Sequence, residues 1–268
     1  MSRRSKSASD RRSERGGARG AVAPPGRVWL YGQHAVAAAL ANLDRPCYRL
    51  LATEAALPLV AAAARARGLA VETVPAERLG QLLAGDAPHQ GLVLGVGPLP
   101  ERDLAELLDQ DERPLILALD QVSDPRNLGA ILRTAAALGV SGVLLPQRRS
   151  AELNGACAKA ASGALDILPL VEVVNLARAL AELKQHGYWL VGLDAAAPAT
   201  LEALALPPRM VLVLGSEGEG LRRLVAERCD FVARLAIDPR MDSLNVSVAA
   251  GIALYLMTRK QADHVLGA

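Results

Sequence analysis

Between Leu115 and Gly215 the chain keeps returning to short strands with no polar side chain inside them, such as "LILAL", "GVLL" and "MVLVL". Successive residues of a strand point to opposite faces of its sheet. A run that is apolar throughout must therefore be covered on both faces, which excludes a half-solvated antiparallel sheet. Between these runs lie stretches with apolar residues at helical spacing, among them "NLGAILRTAAALG" and residues 175–186. The expected result is an α/β fold, a parallel sheet with helices on both sides, reached through crossover connections. "DILPLVEV" and "YWLVGLD" are expected to supply further strands and residues 151–161 a further helix. Ligands of open parallel sheets sit beyond the carboxyl ends of the strands. That rule singles out the loop after Asp120, the loop after Leu214 and the approach to Ser243.

A smaller alternating series comes first. "VWLYGQHAVAAALAN" reads as a strand, a turn at Gly32 and a helix from His34. "YRLLAT", "AVETVP" and "GLVLGVG" read as strands, and "PLVAAAARARG" and residues 77–83 as helices. Residues 27–98 are expected to form a small α/β domain, residues 99–112 a polar, proline-bounded linker with one short helix, and residues 113–268 a second domain. Residues 1–26 stand apart: the first twenty positions hold seven basic residues against Asp10 and Glu14, with Ser, Gly and no apolar periodicity. Such a segment is expected to be disordered, and its charge suits nucleic-acid phosphates as well as simple solubility.

Composition removes several classes of function. A hydrophobic content of 51% is ample for a core, yet the longest uncharged apolar run, residues 246–257, is too short to span a bilayer. No apolar segment follows the charged N-terminus, so no secretory signal is expected, and the protein is expected to be soluble and cytoplasmic. Cys47, Cys157 and Cys229 lie far apart without C-x-x-C spacing, against both a zinc site and a disulfide framework. None of His34, His89, His186 and His264 falls in the three loops, so neither a histidine base nor a metal is expected. Neither a G-x-S-x-G elbow nor an H-E-x-x-H pair is present. Aromatic residues make up only 3% of the chain, which argues against binding single strands by base stacking on an aromatic platform.

Each of the three loops carries polar residues beyond what local structure needs. In "DPRNLGAILRTAAALG", Asn127 sits at a helix entrance, where it can cap the helix or hold a polar ligand, and Arg133 lies six residues on in an otherwise apolar helix. In "VLVLGSEGEGL", Gly215, Gly218 and Gly220 let backbone N–H groups approach a ligand closely. The spacing is G-x-x-G-x-G, not the dinucleotide G-x-G-x-x-G, and Glu217 and Glu219 would repel a pyrophosphate. In "IDPRMDSLNVSVAAGIALYL", a buried helix from Val246 opens among Ser243, Asn245 and Ser247. One such residue is enough for a cap; three suggest a ligand at the helix start.

Taken together and in this order, the loops resemble the three motifs of the SpoU (TrmH-type) ribose 2′-O-methyltransferases: N-x-G-A-I-x-R-T-A, then L-G-x-E-G-x-G, then S-L-N-V-S-V-A. "LYGQHAV" is similar to the start of the small, L30e-like substrate-binding domain of many members, so the resemblance covers residues 27–268. Within the family the chain looks most like the enzymes that methylate a guanosine ribose in 23S ribosomal RNA.

The resemblance implies S-adenosylmethionine as cofactor, held by Leu214, Gly215, Ile237 and Leu244 in a C-terminal trefoil knot, a topology that periodicity does not predict. It implies an active-site set of Asn127, Arg133, Glu217, Ser243 and Asn245, and a homodimer paired through the C-terminal helix. In such enzymes Arg133 would be the base. A guanidinium keeps its proton up to a pKa above about 12, so a role in holding the phosphate beside the reacting ribose fits its chemistry better. Glu217 would then orient a donor or Arg133 itself. Transfer RNA is the other substrate open to this family. An RNA-binding or ribosome-assembly factor without catalysis is a second reading, against which the intact Arg133, Glu217 and Asn245 count. A dinucleotide-dependent oxidoreductase is a third, disfavoured by loop order and charge.

Overall fold

The computed structural model describes residues 27–83, 87–108, 115–216, 218 and 220–266. The basic tail, part of the expected linker and Glu217 lie outside the described residues.

The first sheet is built from β1 (Val28–Tyr31), β2 (Cys47–Ala52), β3 (Val71–Thr73) and β4 (Leu92–Val96), in the order β1-β4-β2-β3. β4 runs antiparallel to β1 and β2, and β2 is parallel to β3. Three helices connect these strands: α1 (Gln33–Ala41), α2 (Leu57–Ala66) and α3 (Ala76–Leu82). The single turn α4 (Ala105–Leu108) follows in the expected linker and buries Leu107.

The second sheet contains β5 (Leu115–Leu119), β6 (Gly142–Pro146), β7 (Leu170–Val173), β8 (Trp189–Leu193), β9 (Ala199–Thr200), β10 (Met210–Leu214) and β11 (Phe231–Arg234). Its order is β7-β6-β5-β10-β8-β11-β9, and every pairing is parallel. The connecting helices are α5 (Pro125–Ala137), α6 (Gly155–Ala161), α7 (Leu176–Gln185) and α8 (Arg223–Ala226), and α9 (Val246–Leu266) closes the chain.

The apolar strands behave as their composition demands. Every residue of β5, β6 and β10 is buried. Leu117, Leu119, Leu212 and Leu214 join the core under α5, α6 and α9, while Ile116, Ala118, Val211 and Val213 join the core under α7. Alternate residues thus fill opposite layers, as a pleat requires.

Two expected elements begin later than their sequence suggests. The helix expected from residue 151 starts at Gly155, because Asn154 caps it by accepting from the N–H groups of Ala156 and Cys157. In "DILPLVEV" the chain first makes a 3-10 turn, Ala164–Asp166, and the strand starts only after Pro169. Proline has no N–H to give to a ladder.

That 3-10 turn joins the two sheets. It packs on α1, while α6 packs on β1. A Cβ at Gly155 would come within 2.3 Å of the Trp29 carbonyl oxygen, so only glycine allows this approach. At the centre of the contact Arg45 Nη1 lies 2.7 Å from Asp166 Oδ2, with the two side chains 2% and 1% exposed. Asn42 Nδ2 donates to Asp166 Oδ1 at 3.2 Å, and Arg45 Nε donates to the Gly97 carbonyl at 3.3 Å. Two charges this deeply buried are tolerable only when paired and hydrogen-bonded. Replacing Asp166 by Ala should therefore lower the unfolding free energy by about 3–5 kcal/mol in urea titrations, because it strands the Arg45 guanidinium. Glu72→Ala, which breaks the half-exposed Arg49–Glu72 pair, should cost no more than about 1 kcal/mol. Equal losses for the two variants would contradict the burial argument.

Candidate active site

The site is built where two helices start at the carboxyl edge of the second sheet. α5 is capped by Asp124, whose carboxylate accepts from the N–H groups of Arg126 at 2.6 Å and Asn127 at 3.4 Å. Capping is thus done by Asp124 and not by Asn127, whose half-buried side chain serves elsewhere. Asn127 Oδ1 accepts from Asn245 Nδ2 at 3.3 Å, across 118 residues of sequence. Asn245 Oδ1 in turn accepts from the Ser247 N–H at 2.9 Å and the Ser247 hydroxyl at 2.6 Å. Asn245 thereby caps α9 and cross-links its start to that of α5. This explains the polar opening of an otherwise apolar helix.

The glycine loop lies between two ends pinned by one residue. Asp120, at the end of β5, has a side chain 0% exposed. Its N–H donates to the Leu214 carbonyl at 2.7 Å. Its carboxylate accepts from the Arg222 N–H at 3.2 Å and from Arg222 Nε at 2.7 Å. Inside the loop, Ser216 and Gly220 exchange backbone hydrogen bonds at 3.0 and 3.2 Å. A Cβ at Gly215 would come within 2.1 Å of the Gly220 carbonyl carbon, so the two backbones touch with no side chain between them. Asp120 had not been singled out as a site residue; its signal is a carboxylate ending an apolar strand.

The other candidates divide. Leu214, Ile237 and Leu244 pack against one core cluster, and Gly215 is buried. Ahead of them Asp238 accepts from Arg240 through both carboxylate oxygens, which shapes the approach to α9 and holds the Asp238 carboxyl below the usual carboxylate range. Ser243 is exposed, two residues before Asn245. Arg133 is exposed as well, and α5 does not bring it to Asn127. Six residues of helix separate the two by roughly 9 Å along the axis and about 120° around it. Glu217 falls outside the described residues.

The small domain reaches toward this edge. Burial raises the Tyr31 hydroxyl, and the nearby positive charge of Arg126, in the first turn of α5, acts in the opposite direction. Thiol chemistry has no support here, since burial pushes the Cys157 and Cys229 thiols up to about 12. Among the described residues no group of three His, Cys, Asp or Glu side chains could hold a metal ion, and no helix is long and apolar enough to cross a membrane.

Comparison with known proteins gives this geometry a context. The profile of the SpoU rRNA methylase family matches residues 114–255, and that of RNA 2′-O ribose methyltransferase substrate binding matches residues 29–102. The 23S rRNA (guanosine-2′-O-)-methyltransferase RlmB of Pseudomonas aeruginosa is 50% identical over 177 residues, 65% of this chain and 71% of its own. The protein of the same name from Salmonella typhimurium is 39% identical over 240 residues, 87% of this chain and 98% of its own. An AdoMet-bound rRNA methyltransferase from Sinorhizobium meliloti superimposes with a TM-score of 0.73 at 26% identity, covering 87% of each chain. Fold and family together define an RNA 2′-O-ribose methyltransferase that uses S-adenosylmethionine. The chain belongs to the SpoU rRNA methylase family.

Proposed function

We propose that this enzyme methylates the ribose 2′-hydroxyl of a guanosine in 23S ribosomal RNA, as a cytoplasmic homodimer. The observation that carries the site is the Asn127–Asn245 hydrogen bond, which sets two polar side chains at the edge where the glycine loop also lies. The names of the two relatives described above support the choice of substrate.

The residues present fit the cofactor. Gly215 and Gly220 leave backbone against backbone, and a Cβ at Gly218 would meet open space. Ile237 and Leu244, half-buried over the core that contains Leu214, offer apolar surface for an adenine. When bound, S-adenosylmethionine supplies an electrophilic methyl group. The protein's task is then to hold the ribose hydroxyl in line, which is the work of Asn127 and Asn245. Ser243, exposed two residues before Asn245, is assigned to the same polar edge, and Glu217 is assigned to the active-site set by its place in the motif alone. Arg133, nearly two turns beyond Asn127, is assigned to the phosphate beside the reacting ribose by its place in the motif and the chemistry of its guanidinium. A guanidinium fork suits a phosphate better than it suits taking a proton. The trefoil knot belongs to this reading. Its support is the path of the chain, which leaves β10 for β11 on the far side of β8 and returns to α9 against α5 and β10.

The homodimer rests on α9. Val248, Ile252 and Tyr255 recur on one face of it and are 50%, 41% and 55% exposed. A stripe of that spacing suits a second copy of the same helix. Light scattering at micromolar concentration should give about twice the chain mass of 28.1 kDa. A stable monomer would remove the dimer.

Tritiated methyl groups from S-adenosylmethionine should enter a 23S ribosomal RNA transcript, and nuclease digestion should recover them as 2′-O-methylguanosine. Incorporation into transfer RNA alone would overturn the substrate, and cofactor binding without transfer to any RNA would overturn catalysis. In the same assay Arg133→Lys keeps the charge and loses the planar fork. The rate should fall about ten- to a hundredfold, roughly 1.4–2.7 kcal/mol, with the pH–rate profile in its original place. A profile displaced along the pH axis would make Arg133 the base.

A further inference from the structure

A cleft of about 410 Å³ opens on the α7 side of the same carboxyl edge, lined among others by Arg148, Arg149, Asn175, Arg222, Arg223 and Leu224. It continues into a second cleft of about 540 Å³ that shares Asn175, Ala177 and Leu224 and adds Arg178 and Arg228. We infer that this groove is a binding site for the RNA backbone, taking phosphodiesters of the substrate strand away from the reacting ribose. The inference rests on the RNA methyltransferase reading and adds a location to it.

Charge and composition both point to a polyanion. Among the described residues, six arginines line the two clefts against one carboxylate, Glu227, which is already engaged by Arg223. Arg222 is held by Asp120 and still presents a side chain that is 47% exposed. Arg148, Arg149, Arg178 and Arg228 form no ion pair among the described residues. Like charges gathered in one groove repel one another, and a bound anion removes that cost. All six are arginines, whose planar forks match phosphate oxygens two at a time. Arg149 is held at a φ of 61°, in the left-handed region.

The apolar lining separates RNA from an acidic protein. Leu224 and Val174 are large, exposed and part of the first cleft. Arginine next to exposed apolar surface suits a strand that offers a phosphate and a sugar or base face at each step, whereas an acidic peptide offers only carboxylates. Position agrees with this choice. Arg222 belongs both to the groove and to the clamp on the glycine loop, so the groove continues from the proposed catalytic edge.

The test is filter binding of a 23S ribosomal RNA transcript to the full-length protein and to the Arg148→Gln, Arg149→Gln double variant over a range of salt concentrations. Two lost phosphate contacts should weaken binding at least tenfold at low salt and flatten the slope of log K against log salt by roughly 1.4–1.8. Arg102→Gln, which changes a half-buried arginine paired with Glu106 outside the groove, should leave that slope in place. Calorimetry with S-adenosylhomocysteine should give equal affinity for the double variant and wild type, which shows that the fold survives. An unchanged slope in the double variant overturns the inference. So does polyglutamate that displaces the RNA at matched charge, which would assign the groove to an acidic protein. Failure of the functional reading looks different: wild type that binds RNA with the steep slope and transfers no methyl group to it.

Discussion

A single carboxylate organises the functional edge of this protein. Asp120 ends the central strand β5 with its side chain fully buried, and it holds both ends of the glycine loop. Its N–H fixes the Leu214 carbonyl on one side, and its carboxylate fixes the Arg222 backbone and guanidinium on the other. A loop of glycines has more conformational freedom to lose than any other. Closing it at both ends onto one buried residue removes most of that freedom before any ligand arrives, which is how a site is preorganised. The arginine used for the closure stays half exposed and also lines the neighbouring groove. Cradle and groove therefore share one anchor.

The Arg45–Asp166 pair differs in kind. Both of its side chains are buried, whereas Arg222 remains in water, so the first pair carries the larger desolvation cost. Well-packed apolar residues could often stabilise such a junction equally well. What an ion pair adds is direction: Asn42 and Arg45 of the small domain, the latter steadied by the Gly97 carbonyl, must meet Asp166 in one arrangement. That arrangement also puts Tyr31 within electrostatic reach of Arg126 beside Asn127.

Much of this was legible in the sequence. Unbroken apolar strands implied a parallel sheet covered on both faces, and the rule of the carboxyl edge found the loops that hold Asn127, Gly215 and Asn245. The half-buried β11 and the single-turn α8 escaped, because four residues are too few to show a period. Of the two roles open to Asn127, the cap belongs to Asp124 instead, since both residue types cap well and only geometry separates them. Arg133 fits the motif and lies on α5 six residues beyond Asn127, exposed to solvent. Asp120 shows in the sequence only as a carboxylate ending an apolar strand; its role as a clamp does not, because its partners lie 94 and 102 residues further along the chain.

The most direct test is calorimetric titration of S-adenosylhomocysteine into wild type and Asp120→Asn. The asparagine keeps the shape and the backbone hydrogen bond to Leu214 but removes the charge that holds Arg222. Wild type should bind, and the variant should bind at least tenfold more weakly, about 1.4 kcal/mol, with its circular dichroism unchanged. Equal affinity in the two proteins would contradict the view that Asp120 closes the methyl-donor cradle.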